Sequence, residues 1–148
     1  MKIITTNKKT FHDFEILDKR DAGIILQWHE VKSIKSGKID ISGGWVKSNN
    51  TNELRLEQVE IQLYKKTNPK TIPSYDIKAP HKLLLKKKEI IKIISKIQDW
   101  GYAIKPLEVY IDHHGLIKIT IALCKHKKLF QKKQAIKERD IERKIMRE

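Results

Sequence analysis

With 148 residues the chain is long enough for one domain with a real core and too short for two ordinary ones. Its 32 Lys+Arg against 18 Asp+Glu leave a formal net charge of +14, which points to a polyanionic partner. Nucleic acid is favoured over a membrane surface, because the basic residues are spread along the chain and no basic segment carries a Trp-rich or Phe-rich apolar face. The single Cys124 excludes an intramolecular disulfide and reads as a small apolar strand residue in a reducing compartment. Met1 to Thr5 is too short an apolar run for a signal peptide, and nowhere do 18 apolar residues follow one another; a cytoplasmic protein with no membrane partner is expected.

In chain order, residues 1–10 are polar and basic and read as a flexible lead. His12 to Leu17 is expected to be the first strand, with Phe14 and Ile16 on one face, and Lys19-Arg20-Asp21-Ala22-Gly23 to turn into a second. That second strand, Ile24-Ile25-Leu26, runs into a short basic turn, Glu30-Val31-Lys32-Ser33-Ile34-Lys35-Ser36-Gly37-Lys38, which holds a single carboxylate. Ile39 and Ile41 then alternate with Asp40 and Ser42, and the pair Gly43-Gly44 before Trp45-Val46 suggests a bulge or a close approach. After the polar turn 48–52, Leu54 to Leu56 and Val59 to Leu63 read as strands. Lys65 to Pro80 holds three of the four prolines without a period, the mark of a surface loop.

From about Lys86 to Trp100 the period becomes helical. Ile90, Ile93, Ile94 and Ile97 share one face, Glu89 suits the first turn, and Gly101 is a plausible stop. Ala103 to Ile111 and Leu116 to Cys124 alternate as strands joined by Asp112-His113-His114-Gly115. The sum is a mainly β protein with helices: six or so short strands, one medium helix and a short helical turn after strand two. Such a set suits a small closed barrel, since closure removes exposed edges. Residues 1–124 form this body and 125–148 a basic tail, where Arg139, Arg143 and Arg147 recur at i, i+4. Like charges at that spacing oppose an isolated helix, so the tail is expected to be disordered when free and helical against RNA.

Few residues suggest catalysis or a cofactor. His113-His114 lacks the further ligands of a metal site, and His12-Asp13, as strand neighbours, are expected to point apart. There is no phosphate-binding glycine loop or recognisable nucleophile motif, so a binder without cofactor or metal is expected rather than an enzyme. Trp28, Trp45 and Trp100 read as core or edge packing before base-stacking platforms, and Leu83 to Leu85 as core. Glu30 could simply neutralise the lysines around it.

Three ordered blocks bear on these alternatives: Asn7-Lys8-Lys9-x-x-His12-Asp13-Phe14, the segment Gly23 to Lys38 around Glu30-Val31-Lys32-Ser33, and Pro80-x-Lys82-Leu83-Leu84-Leu85-x-x-x-Glu89-Ile90. Together they resemble the SsrA-binding protein family, small protein B. The resemblance implies a β-barrel of the oligonucleotide-binding type (OB-fold). It also implies binding to the tRNA-like domain of transfer-messenger RNA (SsrA RNA), and delivery of that RNA with an elongation factor Tu-type GTPase to stalled ribosomes in trans-translation. The implied RNA-facing set is Asn7, Lys8, Lys9, His12, Glu30, Lys32, Ser33, Lys35, Lys82, Leu83, Leu84 and Leu85. Glu30 would serve there as a hydrogen-bond acceptor or organiser of lysines. The tail, through Lys127, Lys128, Phe130, Lys132, Lys133, Arg139 and Arg143, would meet the ribosome at the small-subunit decoding region and the empty mRNA channel. Against the family's tail pattern, Phe130, Gln131 and Lys133 replace a stacking His or Tyr, an Asp and an Arg; Phe130 can still stack on a base. The second reading is a general oligonucleotide-binding translation factor with no preference for this RNA.

Overall fold

A computed structural model describes residues 1–48, 53–68, 70, 74–100 and 102–127, with the backbone alone at 98–100. The elements are β1 (Lys2–Thr6), α1 (Lys8–Asp13), β2 (Phe14–Ile24), α2 (Trp28–Lys35), β3 (Ile39–Asp40), β4 (Trp45–Ser48), β5 (Leu54–Glu57), β6 (Glu60–Ile61), β7 (His81–Leu84), α3 (Lys87–Trp100), β8 (Ala103–Ile111) and β9 (Ile117–His126). Neighbouring strands run β1-β8-β4-β5-β7-β2-β9, and β9 pairs again with β8; β3 and β6 form a separate short pair. Every pairing is antiparallel.

The main core lies between these strands and α3. Leu54, Leu56, Ile61, Leu83, Ile119 and Ile121 are fully enclosed there, and Ile34 joins them from α2. The α3 face expected from the period is the buried one, with Ile90 and Ile93 enclosed and Ile94 and Ile97 packed against them. Toward its end β9 is buried on both faces. Ile119 and Ile121 face the main core, while Ala122 and Cys124 meet Leu107, Phe11, Phe14 and Ile16 in a second cluster. Cys124 is the small apolar strand residue expected, and burial pushes its thiol up to about 11. No helix of the described residues is long and apolar enough to cross a membrane.

Several local expectations are corrected. The polar lead is a strand and a helix: β1 pairs with β8, and α1 starts at Asn7, whose side chain accepts from the Thr10 amide at 3.2 Å. His12 therefore lies at the end of a helix rather than in a strand, and its Nδ1 meets Asp13 at 2.9 Å, so these neighbours touch instead of pointing apart. The supposed turn 19–23 is continuous β2, which pairs with β9 from Phe14↔His126 to Gly23↔Lys118. Pairing across the sheet overrides the local polarity of Asp18 to Asp21. Val59 to Leu63 contributes only the two-residue β6. The close approach expected at the glycine pair falls at Gly44, where an added Cβ would stand 2.6 Å from Val59 Cγ2 and 3.1 Å from the Ile41 carbonyl oxygen. The body's last strand continues to His126, past the boundary drawn at 124. The proposed stop at Gly101 and the tail from Lys128 lie outside the described residues.

Candidate nucleic-acid interface

The basic turn around Glu30 is a two-turn helix, α2. Glu30 sits at its third position and accepts from the Gln27 amide at 2.9 Å, satisfying a backbone donor that the helix leaves open. At the far end Gly37 takes a left-handed φ of 81°. Bonds from the Gly37 amide to the Ile34 carbonyl and from the Lys38 amide to that of Ser33 close the helix. Helical spacing sends His29, Glu30, Ser33 and Ile34 inward and leaves Trp28, Lys32 and Lys35 outside.

Glu30 is thus 3% exposed. Its second carboxylate oxygen meets His81 Nε2 at 2.5 Å and accepts from the Tyr75 hydroxyl at 3.2 Å. Tyr75 also donates to the Ile61 carbonyl at 2.8 Å, so the carboxylate ties α2, β6, β7 and the segment before β7 together. Burial by itself pushes the Glu30 carboxyl upward. Hydrogen bonds from His81, the Gln27 amide and Tyr75, with the attraction of His81, outweigh it and hold the group below its ordinary value. Burial and the same carboxylate push the Tyr75 hydroxyl far upward, keeping it a neutral donor. A groove of about 440 Å³ opens beside this network between Ile25, Leu26, Ala79 and Lys82.

The remaining candidates divide by burial. Asn7 is enclosed, its amide donating to the carbonyls of Ile41 at 3.2 Å and Pro106 at 3.0 Å. Ser33 is enclosed and donates to the Gln62 carbonyl at 2.6 Å. Along β7 the strand period buries Leu83, exposes Lys82 and leaves Leu84 51% exposed against Gly23, with Leu85 half-buried. Leu84 therefore stands outside the core expected for all three leucines. Lys8, Lys9, Lys32 and Lys35 are on the surface, as is His12. Lys127 is fastened to α1, its amide donating to the Asp13 carbonyl at 3.0 Å and its ammonium to that of Phe11 at 3.2 Å. Lys128, Phe130, Lys132, Lys133, Arg139 and Arg143 lie outside the described residues.

These side chains form two groups rather than one patch. Lys8, Lys9, His12 and Lys127 gather where β2 begins, whereas Lys32, Lys35, Lys82 and Leu84 gather where it ends. An 11-residue strand separates the groups by about 35 Å of extended chain. Tyr75 and His81, which hydrogen-bond Glu30, and His29, which packs edge-on against Tyr75, carry no motif that singles them out in the sequence. Trp28 and Trp45 are 58% and 49% exposed rather than packed away. Reading 28–35 as a helix would have placed Trp28 outside beside Lys32 and Lys35, at i, i+4 and i+7.

Exposed lysines, aromatic rings and a leucine, carried at two ends of a mainly β body, are the side-chain types that suit a nucleic-acid-binding surface. The chain belongs to the SmpB family, whose model ("SmpB protein") matches residues 4–148. It is 41% identical over 143 residues to the SsrA-binding protein of Nitratiruptor sp., covering 97% of this chain and 93% of that one. It is 40% identical to the SsrA-binding protein of Coprothermobacter proteolyticus, covering 100% and 97%. Among solved structures it is similar to a chain described as "tmRNA-SmpB: a journey to the center of the bacterial ribosome", with a TM-score of 0.69, 32% identity and 87% of each chain covered.

Proposed function

We infer that the chain binds transfer-messenger RNA and serves in trans-translation on the ribosome. The observation that carries this reading is the family match over 4–148, joined to the structural likeness to tmRNA-SmpB over 87% of both chains. The cycle of pairings from β8 through β4, β5, β7, β2 and β9 back to β8 supports a small closed barrel of the oligonucleotide-binding type.

On this barrel Lys8, Lys9 and His12 at one end, and Lys32, Lys35, Lys82 and Leu84 at the other, touch the RNA. Asn7, Glu30, Ser33, Leu83 and Leu85 act through the backbone they hold in place. Phosphate contacts from the lysines supply most of the affinity, while selectivity comes from the shape of the tRNA-like domain and its few unpaired bases. The chain works as a binder rather than an enzyme, in the cytoplasm. The RNA brings the elongation factor Tu-type GTPase, and Lys127 roots a tail that becomes helical near the decoding region and in the mRNA channel.

A competition titration near 150 mM salt tests the reading, with labelled tRNA-like domain of transfer-messenger RNA set against ordinary tRNA. Strong preference for the tRNA-like domain, kept by a chain ending at Lys127, is expected. Equal affinity for both RNAs would reduce the protein to a general RNA binder.

A further inference from the structure

We propose that Trp28, Lys32 and Tyr64 form a stacking platform for an unpaired base of the bound RNA, with Lys38, Lys65 and Lys66 holding the phosphates on either side; this rests on the RNA-binding reading above. Trp28 is 58% exposed on the outer face of α2. The Lys32 ammonium lies 5.7 Å from the centre of its ring and 5.8 Å from that of Tyr64, so two aromatic rings and one cation are neighbours on a single surface.

The Trp28 ring does not hang free. It stands at 89° to His29, which is fully buried, and His29 in turn stands at 86° to Tyr75 and meets the Gln27 side-chain oxygen at 2.6 Å. The same buried network that seats Glu30 therefore orients an exposed aromatic side chain, which lowers the entropy lost when a base stacks on it. From Tyr64 a groove of about 480 Å³ continues along Ser36, Lys38, Gln62, Lys65 and Lys66, and among the described residues its wall contains no carboxylate. Three lysines along a groove that starts at Tyr64, with Trp28 joined to that ring through Lys32, match a phosphate chain with a base turned outward, and they suit an acidic nucleic acid better than an apolar protein segment.

The test uses the full chain, with the tRNA-like domain of transfer-messenger RNA as probe. Trp28→Ala is expected to weaken binding by roughly tenfold, the usual loss of one stacked base, without altering the salt slope, and Trp28→Phe to retain most of the affinity. Replacing Lys38, Lys65 and Lys66 together by Ala is expected to lower the slope of log affinity against log salt by about two to three. A chain in which Phe replaces Trp45 and Trp100 reports Trp28 alone, and its fluorescence is expected to be quenched as RNA saturates it. Binding of Trp28→Ala within twofold of the unaltered chain, or unquenched Trp28 fluorescence at saturation, overturns the platform while leaving the RNA-binding reading intact. Unchanged RNA affinity with lost ribosome association would assign the patch to a protein partner and likewise overturn it. If the unaltered chain shows no preference for the tRNA-like domain, the functional reading fails and the platform with it.

Discussion

Glu30 sits among lysines in sequence and among His81, Tyr75 and the Gln27 amide in space. A carboxylate so enclosed stabilises only while its partners remain, and removing its charge leaves His81 without its hydrogen-bonding anion. Glu30→Gln is expected to lower stability near neutral pH by about 3 kcal/mol, read as a drop in melting temperature of roughly 10 °C. The folded-state value of the carboxyl is depressed, so its contribution is fully present above the unfolded value near 4.5 and is lost as pH falls through the lower, folded value. Melting temperatures of the two proteins should accordingly converge on acidification below about pH 4. A gap that stays constant down to pH 3 would show that the charge contributes nothing. Its neighbours in sequence suggested no more than a carboxylate neutralising lysines, and only the family resemblance singled it out. It could not reveal the partners, because Tyr75 and His81 come from a loop and a strand 45 and 51 positions away.

At the scale of elements, legibility followed the length of the periodic pattern. α3, β8 and β9 run for 14, 9 and 10 residues, long enough for their apolar period to outvote exceptions, and they stand where the pattern placed them. α1 has six residues and β1 five, with little enclosed apolar surface, so neither carries a period to read. Their order comes instead from Asn7, a cap at one end of its amide group and a double donor at the other. Asn7→Ala removes the cap and leaves the Ile41 and Pro106 carbonyls without that donor, an expected loss of about 2 to 3 kcal/mol. Lys9→Ala should do the reverse, leaving melting unchanged while lowering the salt slope of RNA binding by about one. If the Asn7 variant, measured where it is folded, loses salt slope as the lysine variant does, Asn7 touches phosphate directly.

For the whole molecule, the net charge of +14 is spread along the chain, and the two lysine groups proposed to meet RNA lie at opposite ends of β2. Sites that far apart with no shared partners act independently. Lys9→Ala and Lys32→Ala are therefore expected to add in binding free energy within about 0.5 kcal/mol when combined, as measured by RNA titration. Strong coupling between them would mean that one phosphate cluster bridges both. The mainly β make-up with helices was legible from the periodic segments, but which surface would face outward was not. The short helical turn expected after strand two had no bounds and so left Trp28 undirected, whereas the observed helix starts at Trp28 and fixes its outward face.

The pairing of β2 with β9 also bears on how the chain reaches this shape. Asp21 and Thr120, joined across it by a side-chain hydrogen bond, are 99 positions apart. Little of the surrounding enclosure can form until that separation is bridged, and loop-closure entropy opposes the step before any contact rewards it. Refolding from denaturant should thus take milliseconds to seconds rather than microseconds. A nascent or nicked chain lacking its final strand would present β2 as a bare 11-residue edge, open to pairing with another copy.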